Sequence, residues 1–168
     1  MKIIDYNRKN AVDYANTWAY SRNKNYYDFS LLGGDCTNFA SQCLYAGCNQ
    51  MNYTKIYGWY YKNVNDRSPS FTGVKYFYDF LINNSSKKIG NGVGPFGSEI
   101  DINKVRKGDF IQLGKNNKGY YHTLVVVDTS NEGIKTASHS FDSFNRELLS
   151  YNFDYLRVIS IDGVRVPF

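Results

Sequence analysis

A cysteine followed far downstream by two histidines is the pattern in this sequence able to do covalent chemistry: Cys36, His122 and His139. Cys36 stands in the run Gly33-Gly34-Asp35-Cys36-Thr37-Asn38-Phe39, and Phe39, Ala40, Cys43, Leu44 and Gly47 recur at helical spacing on one face. That periodicity predicts a short core helix with Asp35 as its N-cap and Gly47 as its stop. Cys36 then falls in the first turn, where unpaired N–H groups and the positive end of the helix dipole favour thiolate over thiol. The charge of Asp35 opposes this, so a histidine partner is required to make the sulfur a nucleophile.

His122 opens Tyr120-Tyr121-His122-Thr123-Leu124-Val125-Val126-Val127, a β-branched and aromatic run that reads as a buried strand. Ser130 to Gly133 supplies a turn, and Ile134 to Ser140 returns as a second strand carrying His139. A hairpin loop with an even number of residues places His122 and His139 on the same face, where the second ring orients the first. The same three residues also make a Cys-His-His donor set for zinc, an alternative the sequence leaves open. The three cysteines match no Cys-x-x-Cys or zinc-ribbon spacing. Cys43 is expected as a buried thiol on the apolar helix face and Cys48 as an exposed one beyond the glycine stop.

These residues need a scaffold, and the chain supplies helices first and strands after. A first helix is predicted at about 6–20, with Ala11, Tyr14, Ala15 and Trp18 on one face. The loop 23–34 precedes the cysteine helix, and Tyr26 or Tyr27 is placed to lend a hydroxyl to the site. A third helix is predicted over 74–82, and 83–97 is read as loop. Gly90 to Pro95 imitates a phosphate loop, but no strand precedes it and proline interrupts any following helix. Strands are predicted at 109–113, 122–128, 134–140 and 156–161, with a further piece near Val164. The plan is a single α+β domain over 1–168, N-terminal helices packed on a C-terminal antiparallel sheet.

The run Gly33 to Leu44, then Trp59-Tyr60-Tyr61, Lys107-Gly108-Asp109-Phe110-Ile111-Gln112, His122 with its aliphatic tail, and His139-Ser140-Phe141-Asp142 together resemble the putative amidase domain of Gram-positive bacteria and their phages. That family is similar to the NlpC-type papain-like cell-wall hydrolases. The likeness runs from Tyr6-Asn7-Arg8 to about Leu149, and one departure is Cys48 where a second glycine is expected. The resemblance implies a papain-like fold, Cys36 as nucleophile and His122 as general base. His139, or alternatively Asp142, is implied as the third member that holds the imidazole. The implied substrate is bacterial peptidoglycan, cut as an N-acetylmuramoyl-L-alanine amidase or as a stem-peptide endopeptidase, in the manner of an endolysin catalytic module. No cofactor or metal is implied.

Composition fits this reading. Hydrophobic residues make up 42% of 168 residues, enough for one sizeable core, and no apolar run is long enough for a transmembrane helix. Aromatics at 17% exceed the needs of such a core, so a sugar-stacking groove is one expected use. The net charge of +5 suits anionic surroundings such as a teichoic-acid-bearing wall. Lys and Arg are scattered rather than blocked, so no nucleic-acid partner is expected, nor membrane insertion, and a monomer is. Met1-Lys2-Ile3-Ile4-Asp5 turns polar at once and shows no signal peptide, which predicts cytoplasmic synthesis of a protein acting on the cell wall. Two rival functions remain on sequence grounds: a catalytically silent wall-binding module, and a cysteine protease or transferase acting on proteins.

Overall fold

The computed structural model describes residues 1–168. In chain order the elements are β1 (Lys2–Ile4), α1 (Arg8–Trp18), α2 (Cys36–Cys48), β2 (Tyr61–Asn63), β3 (Asp66–Arg67), α3 (Pro69–Thr72), α4 (Val74–Ser85), β4 (Gly94–Ile100), β5 (Phe110–Lys115), β6 (Gly119–Asp128), β7 (Lys135–Ser138), β8 (Ser143–Glu147) and β9 (Tyr155–Val166). The α+β plan read from the sequence holds. Seven strands form one antiparallel sheet in which β9 carries β4 along one edge; β1 and β5 lie on its other side, and β6, β7 and β8 follow from β5. No helix is long and apolar enough to cross a membrane.

Alternation along the strands divides the core. Phe110, Val125, Val127, Ala137, Ile159 and Ile161 meet the helices, whereas Ile111, Leu113, Leu124, Val126 and Val158 build a second cluster on the other face with Leu148. Helix α2 is enclosed on nearly all sides, every residue from Cys36 to Leu44 being buried. The aromatic triplet sits against it: the fully buried Trp59 donates from Nε1 to Ser41 Oγ at 3.0 Å and stacks on Phe71. Much of the aromatic excess therefore builds core.

Three sequence expectations change here for physical reasons. Gly47 does not stop α2; the helix continues through Cys48 and ends at Asn49 in the left-handed conformation, φ 50°. The glycine serves a close approach instead, since a Cβ there would meet the Tyr6 ring at 2.3 Å. Cys48, expected exposed, is consequently inside the helix and buried. The stretch 83–97 is not simply loop: α4 extends through Ser85, and β4 starts at Gly94 as an edge strand, the position that tolerates Pro95. Gly97 lets that strand sit on β9, because a Cβ would lie 2.3 Å from the Ser160 carbonyl oxygen.

Candidate active site

Cys36 is the first residue of α2, and it arrives there because Asp35 is anchored from several sides. The Asp35 carboxylate makes no N-cap bond to its own helix. One oxygen accepts from the Phe29 N–H and from Asn38 Nδ2, both at 2.9 Å, and the other accepts from His139 Nδ1 at 2.5 Å. The Asp35 N–H donates to Ser140 Oγ at 3.2 Å, tying the start of α2 to the segment after β7. Behind Cys36, the Thr37 and Thr123 hydroxyls lie 2.9 Å apart and fasten α2 to β6.

His122 sits near the start of β6, opposite Leu113 of β5. Its ring packs beside Tyr121 and, 5.7 Å away, Tyr151. Cys36 and His122 open on the same cavity of about 300 Å³, whose wall also includes Gly34, Tyr121, Arg146 and Tyr151. The sulfur has the Thr37 hydroxyl at 3.8 Å, and no hydrogen bond joins it to the imidazole, an arrangement common in catalytic pairs without substrate. Ser140 and Phe141, also on the wall, hold φ of 63° and 62°, and Phe141 is almost fully exposed at the rim. A larger cavity of about 530 Å³, bordered by Arg8, Lys9, Arg106 and Lys107, contains neither thiol nor imidazole.

The electrostatics run against the expected resting thiolate. Burial pushes the Cys36 thiol up from its ordinary pKa, outweighing the Thr123 and Thr37 hydrogen bonds that pull it down, while the Asp35 charge adds to the rise. Burial also drives His122 down, to about 4, and the nearby Arg146 charge adds to that. At neutral pH the pair is a thiol beside a neutral imidazole.

His139 is placed differently from expectation. An extra residue at Val127 breaks the hairpin register between Asp128↔Lys135 and Val126↔Thr136. Continued past that bulge, the register sets His122 across from Ser140 rather than beside His139. The His139 ring instead stacks on Phe39 of α2 at 4.0 Å, with Nδ1 on Asp35 and Nε2 2.9 Å from the Trp18 carbonyl oxygen and 3.2 Å from Arg22. Both nitrogens are engaged, so Cys36, His122 and His139 do not assemble as a Cys-His-His donor set. Asp142 pairs with Arg22 through both carboxylate oxygens, at 2.9 and 3.0 Å. Neither Tyr26 nor Tyr27 borders the cavity; Tyr26 stacks on Phe71 and Tyr27 packs edge-on to Phe29.

A sequence profile described as a putative amidase domain matches residues 5–161. The chain belongs to this family. No curated protein and no solved structure matches it. The match spans the whole cavity, from the Gly33-Gly34 loop to Asn152. Three cavity residues are not marked by the sequence pattern: Tyr121 and Tyr151, which flank the imidazole, and Arg146, whose charge lies near it. The sequence pattern gives Asp35 as a cap, whereas in the fold it is the partner of His139. The adjacency of Asp35 to Cys36 was the available signal, since a buried carboxylate needs a cationic or donor partner somewhere in the fold.

Proposed function

We propose that this amidase-family chain is a cysteine-dependent peptidoglycan hydrolase. The observation that carries the reading is the meeting of Cys36 and His122 on one cavity, with the sulfur at the first residue of a buried helix. His122 takes the Cys36 proton as the sulfur attacks an amide carbonyl carbon. The oxyanion forms at the first turn of α2, where backbone N–H groups lack helical partners. His122 then delivers the proton to the departing amine, and water, deprotonated by the same imidazole, releases the acyl group from the sulfur. Because the resting pair is neutral, proton transfer accompanies attack rather than preceding it.

The third place is filled indirectly. His139 acts as a positioning residue, holding Asp35 and thereby the backbone that presents Cys36; Asp142 supports it through Arg22. The bond cut is an amide of the wall, either between muramic acid and the first alanine or within the stem peptide, and an endolysin-type module suits both. Digestion of purified sacculi, with mass spectrometry of the new ends, tests this. New lactyl carboxylates with free alanine amines indicate the amidase, and new ends inside the stem the endopeptidase. Sacculi left unchanged, or cut equally well by Cys36→Ala, overturn the proposal.

A further inference from the structure

Arg146 stands on the wall of the Cys36–His122 cavity without a carboxylate partner. Its guanidinium lies 3.7 Å above the Tyr151 ring, Nε donates to Ser150 Oγ at 2.9 Å, and Nη2 reaches the Ser150 carbonyl oxygen at 3.3 Å. These contacts fix the plane of the fork and leave Nη1 without a protein acceptor. A guanidinium fork with a free Nη1 matches the geometry of a carboxylate. Here the protein supplies a ring and a serine, and the residue borders the same cavity as Cys36 and His122.

The position also says which part of a substrate brings the anion. Tyr151 bridges Arg146 to His122, its ring contacting both, whereas Cys36 approaches from the Gly33-Gly34 side of the cavity. His122 is the group that hands a proton to the departing amine, so the Arg146 side of the cavity is the leaving-group side. We propose that Arg146 is the specificity-determining residue of this site and binds a free carboxylate on the amine side of the scissile amide. The inference rests on the amide-hydrolase reading above and deepens it: among wall peptides, those with free carboxylates downstream of the cut are substrates, and those whose carboxylates are amidated are poor ones.

Binding and turnover test this separately. A muramoyl stem peptide with free carboxylates and the same peptide amidated are titrated calorimetrically into Cys36→Ala protein, with and without Arg146→Gln or Arg146→Lys. The acidic peptide is expected to bind about 10- to 100-fold more tightly, the range for a charge-assisted hydrogen bond. That preference falls to about threefold or less in Arg146→Gln and is partly kept in Arg146→Lys, which retains charge but loses the fork. Circular dichroism confirms that the variants fold, and the wild-type preference is read with no substitution at position 146. Equal affinity for the two peptides, a preference that survives Arg146→Gln, or no binding of either peptide overturns the proposal. Hydrolysis by the Cys36 protein is scored independently: selective binding without cleavage upholds Arg146 as the anion site and refutes the hydrolase reading alone.

Discussion

Acid should weaken this fold through His122 in a window set by its burial. The ordinary imidazole pKa lies near 6.5, and in the folded chain burial, with help from the Arg146 charge, brings it to about 4. Between these values the unfolded chain binds a proton that the folded chain refuses. Folding stability therefore rises with pH across the window, is unaffected by this residue above about 6.5, and falls as acid is added, saturating below about 4. The whole shift corresponds to roughly 3 kcal/mol, and most of it is spent between pH 7.5 and 4.5. Urea denaturation at these two pH values measures it, with His122→Gln as reference because glutamine does not titrate. The carboxylates contribute alike to both proteins, so the pH-dependent part of the difference belongs to His122. We expect wild type to lose roughly 2 kcal/mol more than the variant, a midpoint difference of about 1 M for a typical slope. A difference that stays constant within about 0.5 kcal/mol would show an imidazole titrating normally and refute the burial argument.

Cys36→Ala should abolish hydrolysis with the fold retained, and alkylation of wild-type Cys36 by iodoacetamide should show a midpoint above that of a free thiol; a midpoint below it would restore the resting thiolate. His139→Ala leaves the Asp35 carboxylate buried without its strongest partner, both side chains being about 1% exposed, and should cost about 3–5 kcal/mol. A calorimetric Tm near that of wild type would contradict the clamp. Gly47→Ala forces a methyl group into the Tyr6 ring and should destabilise by about 1–3 kcal/mol in urea, whereas a merely terminal glycine would tolerate the change.

The parts of the site legible in the sequence were those set by local chemistry. A glycine pair followed by a cysteine and a helical stripe put Cys36 at the start of α2, and the β-branched run put His122 on β6. Failures arose where a distant contact decided. The bulge at Val127 changes register by one residue, and nothing in Val125-Val126-Val127-Asp128 marks which residue is extra. Gly47 has the pattern of a terminator because a glycine near a helix end usually is one; the Tyr6 ring that requires it lies 41 residues away in sequence. β4 lacks alternation because glycines and a proline let it lie against β9, so its pattern is that of a loop. Arg146 and Tyr151 fall in β8 and the turn after it, too short for periodicity to speak.

Arg146 and His122 bear on each other. Burial, and after it the Arg146 charge, make His122 a weak base, and a weak base is poorly suited to take a proton from a thiol whose own pKa burial has raised. A carboxylate seated on the guanidinium cancels that charge at short range. On the proposed reading, that pairing removes the smaller of the two effects that lower the His122 pKa, while burial, the larger, stays in place. The proposal thus assigns recognition, and a lesser part of activation, to one contact, at a guanidinium that no carboxylate of the protein neutralises.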